Sequence, residues 1–244
     1  MNLSRISDKT FAGKVLRLPL RLIPPQTVLP ILQGRLRGKK WIAGSSLHGC
    51  WLGSFEYDKR LVFEQTVKEN SVVYDIGAHA GYYTLLASLL VGSGGRVFAF
   101  EPLPANLVYL KDHLRLNHVN NVTVIEAAVS DQGGKAFFEE ALSSSMGHLS
   151  PHGKIQVETV ALDESLAKGE LPAPDYIKMD IEGAEATALS GAAAVLARYH
   201  PVIFLATHGS QVHQECCLLI RSLGYQLQPL DGQPLETSSE LLAI

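Results

Sequence analysis

Residues 73–84 decide the fold of this chain and read VYDIGAHAGYYT. The apolar start is typical of a buried strand, and a segment of helical length and composition begins at Tyr82. The glycines between them let the backbone turn tightly and approach a ligand closely. A strand, a glycine turn and a helix in succession predict the first unit of an α/β domain, with a ligand loop at the carboxyl end of the strand.

Downstream of this stretch, short apolar strands alternate with helices. Because such strands are joined by crossover helices, we predict a doubly wound, mostly parallel sheet with helices on both faces. The predicted strands are residues 72–76, 96–101, 122–129, 176–181, 202–206, 225–230 and 241–244. The predicted helices are residues 82–91, 104–117, 183–198 and 212–223.

Composition limits the class of protein. The chain has 244 residues, 46% of them hydrophobic and 18% charged, which fits a globular domain with a buried core. The formal net charge of −3 favours no nucleic-acid partner. Three cysteines, an odd number, favour a reduced cytoplasmic setting, and no apolar run predicts an integral membrane span. We predict an N-terminal extension over residues 1–68, packed on a domain over residues 69–244.

The first loop does not match a dinucleotide site, which requires Gly-x-Gly-x-x-Gly. If Gly77 is the second glycine, Asp75 stands where the first is needed; if Gly77 is the first, His79 stands where the second is needed. A carboxylate facing the loop repels a pyrophosphate and suits a ligand with a cationic amino-acid end. These residues therefore favour S-adenosylmethionine over NAD, and an NAD-dependent oxidoreductase is kept as an alternative.

The next strand ends supply the remaining cofactor residues. Glu101 follows the second strand, where a carboxylate can accept both ribose hydroxyls, and Pro102 restricts the turn after it. Ala128 and Val129 are small enough to leave room for an adenine ring. The cofactor site is also expected to include Gly77, His79, Gly81, Tyr82, Asn106 and Asp180.

Acceptor chemistry is predicted at the end of the fourth strand. Side chains alternate along a strand, so Lys178 and Asp180 share a face. Asp180 falls at the carboxyl end, where the acceptor would stand, and His208 follows the next strand as a candidate general base. A divalent metal held by Asp180, His208 and a glutamate is the alternative, although we predict no metal. Glu182 is predicted to contact the substrate. The alternative is that it caps the start of the following helix, where negative charge is favourable.

Five motifs in order resemble the FkbM-family methyltransferases. They are residues 75–84 (DIGAHAGYYT), 100–102 (FEP), 126–131 (EAAVSD), 178–185 (KMDIEGAE) and 205–208 (LATH). The resemblance implies a class I, Rossmann-like fold, a seven-stranded sheet with an antiparallel last strand, S-adenosyl-L-methionine as the cofactor, and O-methylation of sugars or natural-product hydroxyls.

Two positions depart from the family pattern. His79 stands where the family usually has asparagine, and it can still donate a hydrogen bond. Ala206 stands where the family often has glutamate, which removes a carboxylate near the acceptor and weakens the metal hypothesis. The segment 48–56 (HGCWLGSFE) also resembles the family, so Trp51 and Glu56 are expected at the substrate.

The resulting hypothesis is an S-adenosylmethionine-dependent O-methyltransferase acting on a sugar, glycolipid or natural product. Asp180, His208 and Lys178 are its predicted catalytic residues, and Ser145 and Met146 are predicted to contact the small-molecule acceptor. A non-catalytic member of the family and an N-methylating member are the alternatives. The oligomeric state is left open, with a homodimer as one option.

Overall fold

The computed structural model describes residues 19–139, 148–149 and 153–244. Its strands are β1 (Val28–Pro30), β2 (Lys40–Ile42), β3 (Val72–Ile76), β4 (Arg96–Phe100), β5 (Val122–Ile125), β6 (Ala127–Val129), β7 (Gly134–Glu139), β8 (His148–Leu149), β9 (Ile155–Val160), β10 (Tyr176–Met179), β11 (Val202–Ala206), β12 (Leu227–Pro229) and β13 (Glu240–Ala243). Its α-helices are α1 (His48–Leu52), α2 (Tyr57–Thr66), α3 (Tyr82–Val91), α4 (Pro104–Leu116), α5 (Leu162–Ala167), α6 (Glu185–Ser190), α7 (Ala193–Tyr199) and α8 (Ser210–Ser222). A short 3-10 turn at Pro19–Leu22 precedes them.

The central sheet has seven strands in the order β12-β13-β11-β10-β3-β4-β5. Strands β11, β10, β3, β4 and β5 pair in parallel, whereas β13 is antiparallel to both β11 and β12. The strand order reverses between β3 and β10, which is where ligands bind in open α/β sheets. The predicted mostly parallel, doubly wound sheet with an antiparallel last strand is confirmed.

The predicted third strand, residues 122–129, is wrong as a single element. It forms β5 in the central sheet and β6 in a second sheet of order β6-β9-β7-β8. The neighbouring strand β4 ends at Phe100, and the last carbonyl of β5, on Ile125, accepts a hydrogen bond from the Glu101 amide. Because β4 ends there and no other strand of the described residues extends this edge, the chain leaves the central sheet, and β6 pairs with β9.

The predicted helix over residues 183–198 is also divided, into α6 and α7. The break is at Gly191, where a Cβ atom would lie 2.2 Å from the carbonyl oxygen of Ser130. The carbonyl of Gly191 accepts the amide of Asp163, whose carboxylate in turn accepts the amides of Ala194 and Val195 at the start of α7. Close packing against another part of the chain therefore interrupts a segment whose local composition is helical throughout.

The two faces of the sheet bury separate apolar clusters. In β10, Ile177 and Met179 point to the face covered by α6, α7 and α8. Phe204 of β11 points to the opposite face, which is covered by α3, α4 and the N-terminal segment. Lys178 lies between the apolar residues of β10 and therefore faces the N-terminal segment, as the period-two pattern predicts.

The N-terminal segment packs on the central sheet through a buried ring pair. Trp41 stacks on His113 of α4 with 3.8 Å between ring centroids. The Ile42 amide donates to Nε2 of His113 at 2.9 Å, and Nδ1 of His113 lies 2.7 Å from the Ala80 carbonyl oxygen. This histidine therefore ties β2 to the first ligand loop. The division into domains at residue 68 stays a prediction.

The helices in the described ranges are all too short or too polar to cross a bilayer.

Candidate active site

A cavity of about 290 Å³ opens at the carboxyl ends of β3, β4 and β10, near the lower end of the sizes typical of ligand sites. It lies at the reversal of strand order, with β6 on one side and the N-terminal segment on another. The structure brings together twelve of the predicted site residues in its lining: Glu56, Gly77, His79, Tyr82, Glu101, Pro102, Asn106, Ala128, Val129, Lys178, Asp180 and Glu182.

The first loop crosses the floor of this cavity in a conformation that requires glycine at one position. Gly77 has φ +80°, and a Cβ atom there would lie 2.0 Å from the carbonyl oxygen of Asp180. His79, with φ 50°, donates its amide to Glu101 at 2.8 Å. The loop is thereby held between the ends of β4 and β10, with its backbone exposed to the cavity.

The side chain of His79 is a neutral group at this point. Burial, together with the positive charge of Lys178, lowers the pKa of His79 to about 4. Its Nε2 is buried and has no hydrogen-bond partner within the described parts of the chain. A neutral imidazole with an unused ring nitrogen at the cavity wall can accept or donate one hydrogen bond to a ligand.

Glu101 is oriented by three donors. One carboxylate oxygen accepts the Leu103 amide at 3.0 Å and the Asn106 side chain at 3.1 Å, and the other accepts the His79 amide. Burial raises the pKa of Glu101 despite these hydrogen bonds. At two lone pairs per oxygen, these three donors leave one acceptor position, on the oxygen that His79 approaches, so a hydroxyl of a diol in the cavity can donate to Glu101.

A narrow apolar wall adjoins Glu101. Ala127, Ala128 and Val129 of β6 are all buried and line the cavity together with Phe138 of β7. Their side chains give an apolar surface in the same lining as the carboxylate of Glu101. This combination fits the adenosine part of the predicted cofactor.

Asp75 lies below the cavity and is absent from its lining. Its carboxylate accepts the Thr84 hydroxyl at 2.6 Å and lies 3.5 Å from the ammonium of Lys178. The predicted contact of Asp75 with the amino-acid end of the cofactor stays a prediction. What the structure places there is Lys178, which donates to the Gly77 carbonyl at 3.1 Å.

Asp180 stands at the end of β10 between three cationic or titratable groups. One carboxylate oxygen lies 3.8 Å from the ammonium of Lys178 and 3.8 Å from that of Lys59, and the other lies 3.7 Å from Nε2 of His208. Burial opposes ionisation, but the charges of Lys178 and Lys59 lower the pKa of Asp180 below its usual value. Asp180 is therefore an ionised hydrogen-bond acceptor at neutral pH.

His208 lies behind Asp180, outside the cavity lining. Its Nδ1 is 2.8 Å from the fully buried carboxylate of Glu185, and its Nε2 is 3.6 Å from Glu182. The hydrogen bond to Glu185 raises the pKa of His208 to about 9 against the effect of burial. His208 is protonated at neutral pH, so it can accept a proton as a base only after losing its own.

Three side chains, that of Asp180 among them, are also candidate ligands for a metal ion. Ligand atoms of Asp180, Glu182 and His208 all lie within 4.8 Å of one another. Two carboxylates and one imidazole suit a divalent transition metal. The prediction that no metal binds stays a prediction.

The remaining predicted residues lie elsewhere. Trp51 is buried in the N-terminal segment, where its indole nitrogen donates to His48 at 3.1 Å. Gly81 faces Leu110 of α4 beneath the loop. Ser145 and Met146 lie outside the described residues, so their assignment to the substrate stays a prediction.

Several residues of the site were not predicted. Trp41, Phe55 and Tyr83 form an aromatic wall on the N-terminal side of the cavity. Lys59 and Glu240 form a buried pair at 2.7 Å behind Asp180. The aromatic residues are visible in the sequence as a group, but no local period shows which of them face a cavity. The charged pair has no sequence signal, because its members are 181 positions apart.

Comparison with known families and proteins agrees with this geometry. The model of the family described as "Methyltransferase FkbM domain" matches residues 75–227. A hexuronic acid methyltransferase of Haloferax volcanii, AglP, is 29% identical over 134 residues, which cover 54% of this chain and 54% of the relative. A 2-O-methyltransferase of Sinorhizobium fredii, NoeI, is 27% identical over 151 residues, which cover 54% of this chain and 61% of the relative. The matches thus span little more than half the length of these curated relatives.

Solved structures agree in fold. A methyltransferase FkbM from Methylobacillus flagellatus has a TM-score of 0.52 at 24% identity, covering 71% of this chain and 43% of that one. A SAM-dependent O-methyltransferase from Thermotoga maritima has a TM-score of 0.50 at 14% identity, covering 90% of this chain and 76% of that one. At these identities the likeness concerns the fold alone.

Proposed function

Because this chain belongs to the FkbM methyltransferase family, we propose that it transfers a methyl group from S-adenosylmethionine to a hydroxyl oxygen of a small, neutral acceptor. One observation carries the proposal. One cavity is lined by two carboxylates, the hydrogen-bonded Glu101 and the ionised Asp180. Family membership favours the methyltransferase hypothesis over the NAD-dependent oxidoreductase.

The residues of this chain fit the cofactor of the family. Glu101 would hold the ribose hydroxyls, and Ala128 with Val129 would cover the adenine. The loop at Gly77 would approach the methionine part, with the unpartnered Nε2 of His79 beside it. When bound, S-adenosylmethionine supplies an activated methyl group on a sulfonium, so the protein has to position the acceptor and remove its proton.

Asp180 is the group best placed to orient the acceptor. Its carboxylate is ionised and lines the cavity, so it can accept a hydrogen bond from the reacting hydroxyl. The carboxylate of Asp180 would take the proton that the hydroxyl loses when the methyl group leaves the sulfonium sulfur for the hydroxyl oxygen, and would pass that proton to solvent. The protonated His208 lies 3.7 Å from the same carboxylate and fixes its orientation instead of acting as the base.

The charge of the cavity supports a neutral acceptor. Its described lining includes the carboxyl groups of Glu56, Glu101, Asp180 and Glu182 but only one ammonium, that of Lys178. An anionic acceptor would meet an excess of like charge, which disfavours binding. The relative from Haloferax volcanii is named for a hexuronic acid and the one from Sinorhizobium fredii for 2-O-methylation. For this chain we infer an uncharged polyhydroxylated acceptor such as a neutral sugar.

A paired-acceptor assay tests the proposal. The protein is incubated with S-adenosylmethionine carrying a labelled methyl group and with matched hexosides and hexuronides, and products are identified by mass spectrometry. We expect label on a hydroxyl oxygen of a hexoside and at least about tenfold lower kcat/KM for the matching uronide, since one like-charge contact is worth more than 1 kcal/mol in a cavity of low dielectric.

Asp180→Asn is the accompanying variant. We expect it to bind S-adenosylhomocysteine in calorimetry like the wild type and to lose turnover by at least about a hundredfold, the contribution of a positioned base. Binding of the cofactor without turnover of any acceptor by the wild type would favour the non-catalytic alternative. Label on nitrogen would favour the N-methylating one.

A further inference from the structure

Lys59 is a buried ammonium group outside the matched family region. Its side chain is 5% exposed, and its Nζ lies 2.7 Å from Glu240, 3.3 Å from Glu56 and 3.8 Å from Asp180. The family match begins at residue 75 and ends at residue 227, so Lys59 precedes it and Glu240 follows it. Two segments that the family model does not cover thus meet behind Asp180.

Strand register explains how Glu240 arrives there. Glu240 of β13 pairs with Ala206 of β11 in the antiparallel ladder, so both side chains point to the same face of the sheet. Ala206 is the position at which the sequence suggested the loss of a carboxylate. Glu240 of the neighbouring strand β13 supplies a carboxylate at the same level of the sheet. This carboxylate lies 2.7 Å from the ammonium of Lys59.

Lys59 remains charged in this position. Burial disfavours the charged form, but the carboxylates of Glu56, Asp180 and Glu240 raise the pKa of Lys59 above its usual value. A buried charge is stable only when it is paired, and here it has three partners. The ring of Tyr83, with its centroid 5.7 Å from this ammonium and 5.5 Å from that of Lys178, fills the space beside the two cations.

Lys59 adds to the charge around Asp180 because Lys178 is shared with Asp75 and His208, on the other oxygen, is paired with Glu185. The ammonium of Lys178 lies 3.5 Å from Asp75 and donates to the Gly77 carbonyl. One positive charge therefore faces two buried or half-buried carboxylates, Asp75 and Asp180, and cannot fully compensate both. Lys59 supplies the missing charge at the same oxygen of Asp180 that Lys178 approaches.

We propose that Lys59 is a positioning residue for methyl transfer: held by Glu56 and Glu240, its ammonium fixes one oxygen of Asp180, as His208 fixes the other, so that the carboxylate keeps one orientation toward the acceptor. The inference rests on the proposed function of Asp180. It makes the active site depend on the N-terminal helix α2 and on the last strand β13.

Kinetics of three variants test this role. Lys59→Met removes the charge and keeps most of the stem, Lys59→Arg keeps the charge, and Lys68→Met changes an exposed lysine just after the same helix. We expect Lys59→Met to bind S-adenosylhomocysteine within about threefold of the wild type while kcat falls at least about tenfold. The acid limb of its kcat/KM profile should move to higher pH, and Lys59→Arg should restore both values. Identical kinetics in Lys59→Met and Lys68→Met would overturn the proposal.

A second readout does not need turnover. The carboxyl carbon of Asp180 is followed by NMR in protein labelled at aspartate and saturated with S-adenosylhomocysteine, and its signal is assigned by its loss in Asp180→Asn. The titration midpoint should be higher in Lys59→Met than in the wild type, Lys59→Arg or Lys68→Met. An unchanged midpoint overturns the role of Lys59, whereas absence of turnover in the wild type counts against the proposed function alone.

Glu240→Gln covers the case in which Lys59→Met does not fold. This variant weakens the interaction of residue 240 with Lys59 and leaves the side chain of Lys59 unchanged. We expect kcat to fall at least about threefold, because a less restrained ammonium no longer holds the carboxylate of Asp180 in one orientation. A kcat equal to that of the wild type in Glu240→Gln would equally overturn the proposal.

Discussion

The carboxylate of Asp75 lies 3.5 Å from the ammonium of Lys178, and the parallel register of β3 and β10 places these two residues directly opposite each other. Their side chains are 1% and 5% exposed. Thr84 donates to the other oxygen of Asp75 at 2.6 Å. The most characteristic acidic residue of the first loop is therefore a buried partner that supports the loop from below.

Removal of Lys178 should destabilise the protein strongly. Lys178→Met leaves the carboxylate of Asp75 buried and uncompensated, so we expect the free energy of unfolding to fall by about 3 kcal/mol or more. Urea denaturation measures this, with Lys111→Met as the control, since the Lys111–Glu126 pair is half exposed and should contribute less than about 1 kcal/mol. The double variant Asp75→Asn with Lys178→Met should recover part of the loss. Equal effects of the two single lysine substitutions would contradict the prediction.

Two glycine substitutions separate the stability cost of a strained backbone from the cost of a steric clash with a neighbouring strand. Gly77 and Gly92 both have positive φ, but a Cβ at Gly77 would lie 2.0 Å from the Asp180 carbonyl oxygen, whereas a Cβ at Gly92 would have no atom of another described residue, its chain neighbours aside, within 4 Å. Gly92→Ala should cost about 1–2 kcal/mol of stability from strain alone. Gly77→Ala should cost more and also abolish binding of S-adenosylhomocysteine, as measured by calorimetry. Retained binding in Gly77→Ala would show that the loop can move away from β10.

Glu101 should contribute to cofactor affinity specifically. In Glu101→Gln one oxygen becomes an amide nitrogen that cannot accept a ribose hydroxyl, and a hydrogen bond to a charged group is worth about 1.5–3 kcal/mol. We therefore expect affinity for S-adenosylhomocysteine to fall by about ten- to a hundredfold. The exposed Glu126 provides the control variant, Glu126→Gln, which should bind normally. If methionine binds equally to both variants while S-adenosylhomocysteine does not, the loss is assigned to the ribose.

The pH dependence of stability and of kcat/KM shows whether His208 orients Asp180 as a cation or acts as the catalytic base. Its pKa is raised from 6.5 to about 9, so the stability from its ion pairs is fully present below pH 6.5 and is lost as the pH rises through about 9. Denaturation of the wild type and His208→Gln should therefore differ most at pH values below 6.5 and converge above 9. With Asp180 as the proton acceptor, kcat/KM should fall above about pH 9. A rise through that pH would instead identify His208 as the base.

Much of the site follows directly from where strands end. Glu101 and Asp180 each come directly after a β-strand of the central sheet, and parallel strands bring their carboxyl ends to one edge, so a local pattern was enough to predict that they line one cavity. Ala128 lines the same cavity, but from β6 of a second sheet that the local pattern did not predict. The N-terminal segment is different. Its strands and helices are short and irregular, so nothing local distinguished Trp51, which is outside the cavity lining, from Trp41, which is likewise buried but belongs to that lining.

The sequence by itself determined the alternation of strands and helices, the glycine at residue 77 and the acidic residues after two strands, because these depend on backbone geometry and on periods of two and 3.6 residues. Only the tertiary structure decided which charges meet. Lys59, Asp180 and Glu240 come from α2, the end of β10 and β13, and their contacts depend on strand order and on the packing of the N-terminal segment. Electrostatic interactions act through space, so the protonation states of Asp180 and His208 follow from neighbours that no local pattern reveals.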